Sequence, residues 1–190
     1  MTRALVTGSH ERAAPVVDEL GRLGIATSVA HDLPGLGAAL DAGPFDCYVQ
    51  LPWSLAAEGD TVVARVHHFL ASGLLARFVA VERVLDRLTA GAVILLVAGH
   101  EPLQPTAPDD RQARLALLRV LAHAARADRP AQHLRIQVTT SDRSAAELVR
   151  MATDAPSGPA VPAADLDAVM SDRSYADWRV EILGLATVEV

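Results

Sequence analysis

The chain contains no lysine and no asparagine. All 17 of its basic residues are therefore arginine, and no basic block gathers them, which argues against a nucleic-acid partner. A single cysteine, Cys47, excludes an internal disulfide and a cysteine-based metal cage. It lies in an apolar run and reads as a buried core thiol. Aromatic residues make up 4%, so alanine, leucine and valine must fill the core. No unbroken apolar run reaches the roughly 20 residues needed to span a bilayer. No secretory leader precedes the first strand pattern, so a soluble cytoplasmic protein without a membrane partner is expected.

What is present is ordinary in amount and regular in arrangement. Hydrophobic residues account for 51%, charged residues for 21%, and net charge is −6. A length of 190 residues suits one domain spanning 1–190. Ala4–Val6 reads as a first strand, turning at Thr7-Gly8-Ser9. Glu11–Leu23 carries Ala13, Val16, Val17, Leu20 and Leu23 at helical spacing, with Gly24 as its C-cap. Ile25–Ala30 is a second strand, followed by His31 and an Asp32-Leu33-Pro34-Gly35 turn. Leu36–Leu40 is a short helix and Phe45–Leu51 a third strand, ended by Pro52. A long helical stretch runs from about Ala56 to Leu88, with a break expected near Ser72-Gly73. Its second half sets apolar Leu74, Leu75, Phe78, Val81, Val84, Leu85 and Leu88 against Arg77, Glu82, Arg83 and Asp86, which are expected to point elsewhere.

Ala92–Val97 is continuously apolar, as a central parallel strand covered on both faces would be. Asp109 or Asp110 caps a helix over Arg111–Ala127, Leu134–Val138 is a fifth strand, and Ser141-Asp142 caps a helix from Ser144 to about Ala152. A Pro/Gly/Ala loop over 156–162, a short helix from Asp165 and a last strand at Arg179–Leu185 complete the pattern. Alternation of strand and helix predicts a three-layer, Rossmann-like α/β fold. Its mostly parallel sheet should have about six strands in the order 2-1-3-4-5-6.

Several strings in this order resemble the short-chain dehydrogenase/reductase family. Ala4-Leu5-Val6-Thr7-Gly8 is similar to the start of its Thr-Gly-x-x-x-Gly-x-Gly loop. Phe45-Asp46-Cys47-Tyr48-Val49 resembles the strand before its Asn-Asn-Ala-Gly motif. Phe78–Leu85 resembles its long interface helix, and Gly91–Leu96 the strand that carries its serine. Leu117–Ala122 resembles the helix after its Tyr-x-x-x-Lys, and Leu134–Val138 the next strand.

The functional positions that the resemblance implies are nearly all altered. Of the phosphate-loop glycines only Gly8 survives, and Arg12 and Ala14 stand at the others. Arg12 is either a phosphate partner or a solvated first-turn residue. Asp32 is either a ribose-binding acid or a turn former. Thirteen residues separate Asp32 from Asp46, where the family fits a helix and another strand, so the adenine side is short. Gln50-Leu51-Pro52-Trp53 replaces Asn-Asn-Ala-Gly, and Trp53 is expected to crowd the nicotinamide ribose. The serine position falls near Ala98 or Gly99, the tyrosine near Ala107, the lysine near Arg111 and the helix asparagine near Gly73. Tyr48 and Tyr175 lie far from the family's tyrosine in the sequence. The family's reaction needs a phenol with a nearby cation that lowers its pKa. No catalytic residue, no bound cofactor and no metal is therefore expected, with NAD(P) retained as a weaker alternative carried by Gly8 and Asp32.

Three functions follow. The first is a non-catalytic subunit, a pseudoenzyme, that dimerises with a catalytically complete relative such as a ketoreductase, or else with itself. Its interface would use Leu74, Phe78, Val81 and Leu85 on one helix with Leu115, Leu118 and Leu121 on another. The second is a ligand- or dinucleotide-sensing module. The third is a divergent oxidoreductase using His100 and Glu101, which follow a strand at the sheet edge where such folds bind ligands.

Overall fold

The computed structural model describes residues 2–53, 58–99 and 108–153, with backbone only for 108–113. Strand β1 (Arg3–Thr7) leads through Gly8-Ser9 into α1 (His10–Arg22), then β2 (Ala26–Ala30), α2 (Leu36–Leu40) and β3 (Phe45–Gln50). A continuous helical stretch follows, made of α3 (Val62–His68), a π-helical segment (Phe69–Leu75) and α4 (Ala76–Leu85). The order closes with β4 (Leu88–Ala98), α5 (Pro108–Asp128), a 3-10 turn (Pro130–Gln132), β5 (Arg135–Thr140) and α6 (Ala145–Thr153). All five strands are parallel in the order β2-β1-β3-β4-β5. The predicted sixth strand, Arg179–Leu185, lies outside the described residues.

Alternation along each strand sends side chains to two cores. Leu5, Tyr48, Ile94 and Leu96 face α2, α4 and α5. Ala4, Val6, Cys47, Val49, Val93, Leu95 and Val97 face Ala13, Val16 and Leu20 of α1 and Leu148, Val149 and Ala152 of α6. The apolar run in β4 is thus covered on both sides, as its composition predicts. The register places Val6 beside Val49, Val49 beside Leu95 and Leu95 beside Gln137 across the sheet.

Local chemistry sets the element ends. Gly24 takes a left-handed φ of 71° after α1, which glycine adopts without strain. Ser144 and Glu147 form a reciprocal capping box at α6, with Ser144 N–H on Glu147 Oε2 at 2.9–3.0 Å alongside the serine hydroxyl. The cap is therefore Ser144 and not the expected Ser141-Asp142.

Three sequence expectations change here. Leu88 begins β4 instead of ending the helix, because it pairs with Phe45. Ser72-Gly73 does not break the helix; the backbone absorbs it as the π-helical segment. By length and composition the 24 residues Val62–Leu85 are long and apolar enough to cross a bilayer, which the count of unbroken apolar runs did not reveal. Its C-terminal half packs on the sheet through Leu74, Val81, Val84 and Leu85.

Candidate functional site

The chain leaves β1 toward β2 on one side and returns to β3 on the other. The topological switch point, where open α/β sheets bind ligands, therefore lies beyond the carboxyl ends of β1 and β3. In this chain the segments at that edge are tied to one another by backbone hydrogen bonds. Leu51 N–H donates to Thr7 O at 2.7 Å, Gly8 N–H to Ala30 O at 3.1 Å, and Ser9 N–H to Pro52 O at 3.2 Å. A pyrophosphate on a helix N-terminus needs free backbone amides and small residues for close approach. Here an amide at the start of α1 is committed to the Pro52 carbonyl. Gly8 is held for another reason: its φ is 148°, and a Cβ there would stand 2.6 Å from Leu51 Cβ.

Arg12 is half-buried and not simply solvated. It lines a small recess of about 170 Å³ with Pro52, Ser141 and Arg143. Asp32 acts as the turn former: its Oδ1 accepts the Gly35 N–H at 2.7 Å. Trp53 packs against the α4-side core and lines a cleft with His31 and Asp32, beyond the ends of β2 and β3.

Beneath the switch point lies a buried polar network that the sequence reading missed. Arg77 is 4% exposed, although the helical pattern placed it on the outer face. Its Nε donates to Gln50 Oε1 at 3.0 Å, and its Nη2 donates to Gln50 O at 3.2 Å and Val97 O at 2.7 Å. Gln50 Nε2 in turn donates to Tyr48 Oη and Arg77 O, each at 3.0 Å, and Tyr48 Oη meets Thr7 Oγ1 at 3.0 Å. The helical spacing held the signal, since Arg77 follows buried Leu74 by three and precedes buried Val81 by four.

A phenol and a cation therefore do share a site, and it is buried. Tyr48 is 0% exposed. Burial pushes its pKa up to about 12, against the lowering effects of its bonds to Thr7 and Gln50 and of Arg77. Burial also holds Arg77 down to about 10; Tyr48 opposes that shift and Arg114 adds to it. A reductase phenol needs the opposite shift and access to a carbonyl oxygen. At the end of β4, Ala98 is buried, and a Cβ on Gly99 would meet Pro52 at 3.2 Å and Arg114 Nη1 at 3.4 Å. Arg114 is itself buried, with its guanidinium 4.3 Å from the Phe69 ring centroid. His100, Glu101 and Ala107 lie outside the described residues, as does the side chain of Arg111. Among the described residues no group of three His, Cys, Asp or Glu side chains could hold a metal ion.

The expected interface residues are corrected in part. Leu74, Val81, Leu85, Leu118 and Leu121 lie in the chain's own core, with Phe78 and Leu115 half-buried against it. They turn inward onto the apolar part of the sheet face beneath α4 and α5, beside the Arg77 network. The exposed large apolar side chains on these helices are instead Val62, Val63, Leu70, Leu75, Val79 and Val120.

A parallel five-stranded sheet with helices on both faces is a Rossmann-like fold. No protein-family model and no curated protein matches the sequence. Among solved structures, a doubly substituted short-chain dehydrogenase/reductase from Serratia marcescens aligns with a TM-score of 0.57 and 16% identity, over 80% of this chain and 85% of that one. The BdcA (YjgI) protein of E. coli aligns with a TM-score of 0.55 and 15% identity, over 80% of this chain and 89% of that one. The fold is that of short-chain dehydrogenase/reductase-like proteins.

Proposed function

We propose that this chain is a non-catalytic subunit with a short-chain dehydrogenase/reductase fold, which pairs with a catalytically complete relative such as a ketoreductase. The observation that carries this reading is the set of hydrogen bonds that engages the ends of β1, β3 and β4 with one another. Pro52 O occupies the Ser9 amide, and Arg77 ties the ends of β3 and β4 together where a reductase would hold cofactor and carbonyl. A scaffold so tied keeps its surface as its remaining asset. That surface carries Val63, Val66 and Leu70 at a helical spacing of three and four, with Val63 78% and Leu70 41% exposed. Exposed apolar side chains grouped on one helix face mark interaction sites more often than isolated ones do.

The test is the assembly state, read by light scattering on size-exclusion chromatography beside co-purification from the native host. Wild type should associate with a reductase that retains serine, tyrosine and lysine. Leu70→Arg should stay folded by circular dichroism and lose the partner, whereas Leu118→Arg should unfold, because Leu118 is 0% exposed. A folded wild-type monomer that captures no reductase would sink the subunit reading. Low-micromolar binding of NADPH by the isolated chain would overturn the reading of these strand ends as non-catalytic.

A further inference from the structure

We propose that the cleft beyond the carboxyl ends of β2 and β3 binds an uncharged, largely apolar small molecule and not a nucleotide. This goes beyond the partner role and does not depend on it. The cleft holds about 510 Å³, within the usual range for small-molecule sites. One wall is the turn after β2, with His31, Asp32 and Leu33; Trp53 closes the β3 side. The opposite wall is the end of the π-helical segment and the start of α4, and π segments occur disproportionately at functional sites. There the chain turns Leu74 into the core while Leu75 and Val79 stand at the cleft, 54% and 37% exposed. Those are the side chains that an apolar body would cover.

Charge selects the class of ligand. Among the described residues Asp32 is the one carboxylate in the lining and no arginine lines the cleft, and Asp32 Oδ1 is already engaged by Gly35 N–H. A phosphate would find Asp32 as a neighbour and no arginine among the described lining residues. At the nearest helix N-terminus the Ser9 N–H is held by Pro52 O. The Trp53 indole N–H is buried and has no acceptor among the described residues. A carbonyl or ether carried into the cleft would satisfy it once the ring turns outward.

The probe for this site is N-phenyl-1-naphthylamine, a neutral apolar dye whose emission rises on leaving water. The full chain should bind it saturably, one to one, in the micromolar range. Ala71→Trp places bulk in the cleft from an exposed lining position and should weaken binding about tenfold or more. Its circular dichroism and urea midpoint should stay unchanged. If that variant is unstable, Val79→Asp serves instead and should weaken the dye equally. Millimolar NADP+ should leave the dye in place. The proposal is overturned by absence of saturable emission, by equal binding to wild type and both variants, or by displacement of the dye by NADP+. A signal that appears only on dilution to monomer would also overturn it, because a second copy would then be the occupant.

Discussion

Removing the Arg77 guanidinium should destabilise the fold far more than a helix-face arginine would. Arg77→Met keeps an apolar side chain of similar length but leaves Gln50 Oε1, Gln50 O and Val97 O without their donors. Hydrogen bonds from a charged group contribute about 1.5–3 kcal/mol each, so the three together contribute somewhere between 5 and 9 kcal/mol, as an order of magnitude. Against this stands the burial of the charge. A pKa held down from 12.5 to about 10 corresponds to a penalty of roughly 3 kcal/mol, which the substitution relieves. The net expectation is a loss of about 2–6 kcal/mol, the scale of breaking other buried charged networks. Arg77→Lys should also lose stability, because one ammonium cannot match the planar fork that reaches both strands. Urea unfolding followed by circular dichroism measures both variants. A loss below about 1 kcal/mol with an unchanged m-value would refute the idea that Arg77 clamps β3 to β4.

Gly8→Ala should destabilise by about 2 kcal/mol or more, through positive φ and a Cβ pressed on Leu51, and a urea midpoint within error of wild type would show that the loop yields freely. The Cys47 thiol, pushed up to about 12 by burial and then by Asp46, should resist an aromatic disulfide thiol reagent at pH 8 until urea unfolds the chain. Because the folded chain holds that proton above the ordinary 9.0, its contribution to stability is complete below pH 9 and is lost as pH rises toward 12. Stability should therefore fall by about 1 kcal/mol between pH 9 and 10, and Cys47→Ala should flatten that fall. Tyr48 adds a loss of the same sign above pH 10, while Arg77, whose pKa is lowered, acts in the opposite sense there.

Strand order, the parallel sheet and the two-sided cover of β4 were legible in the sequence, because they depend on short-range periodicity. Apolar runs of five or six residues separated by helical spacing leave few ways to wind a sheet, and the observed order β2-β1-β3-β4-β5 follows them. The lack of lysine and asparagine was likewise legible without reference to structure. What the sequence could not assign was the direction of each helix face. Leu74, Val81, Leu118 and Leu121 read equally well as interface or core, since both demand apolar residues at the same spacing; burial against β3, β4 and β5 decided it. Arg77 was placed outside because an isolated cation is usually solvated. Three oxygens of Gln50 and Val97, from strands 27 and 20 residues away, make its burial tolerable. The hydrogen bonding at the switch point depends on the same kind of long-range meeting, with Pro52 delivered to Ser9 by the pairing of β1 with β3. Composition along the chain determines which elements form. Which polar atoms meet, and hence what chemistry the site retains, is decided only when distant segments are brought into register.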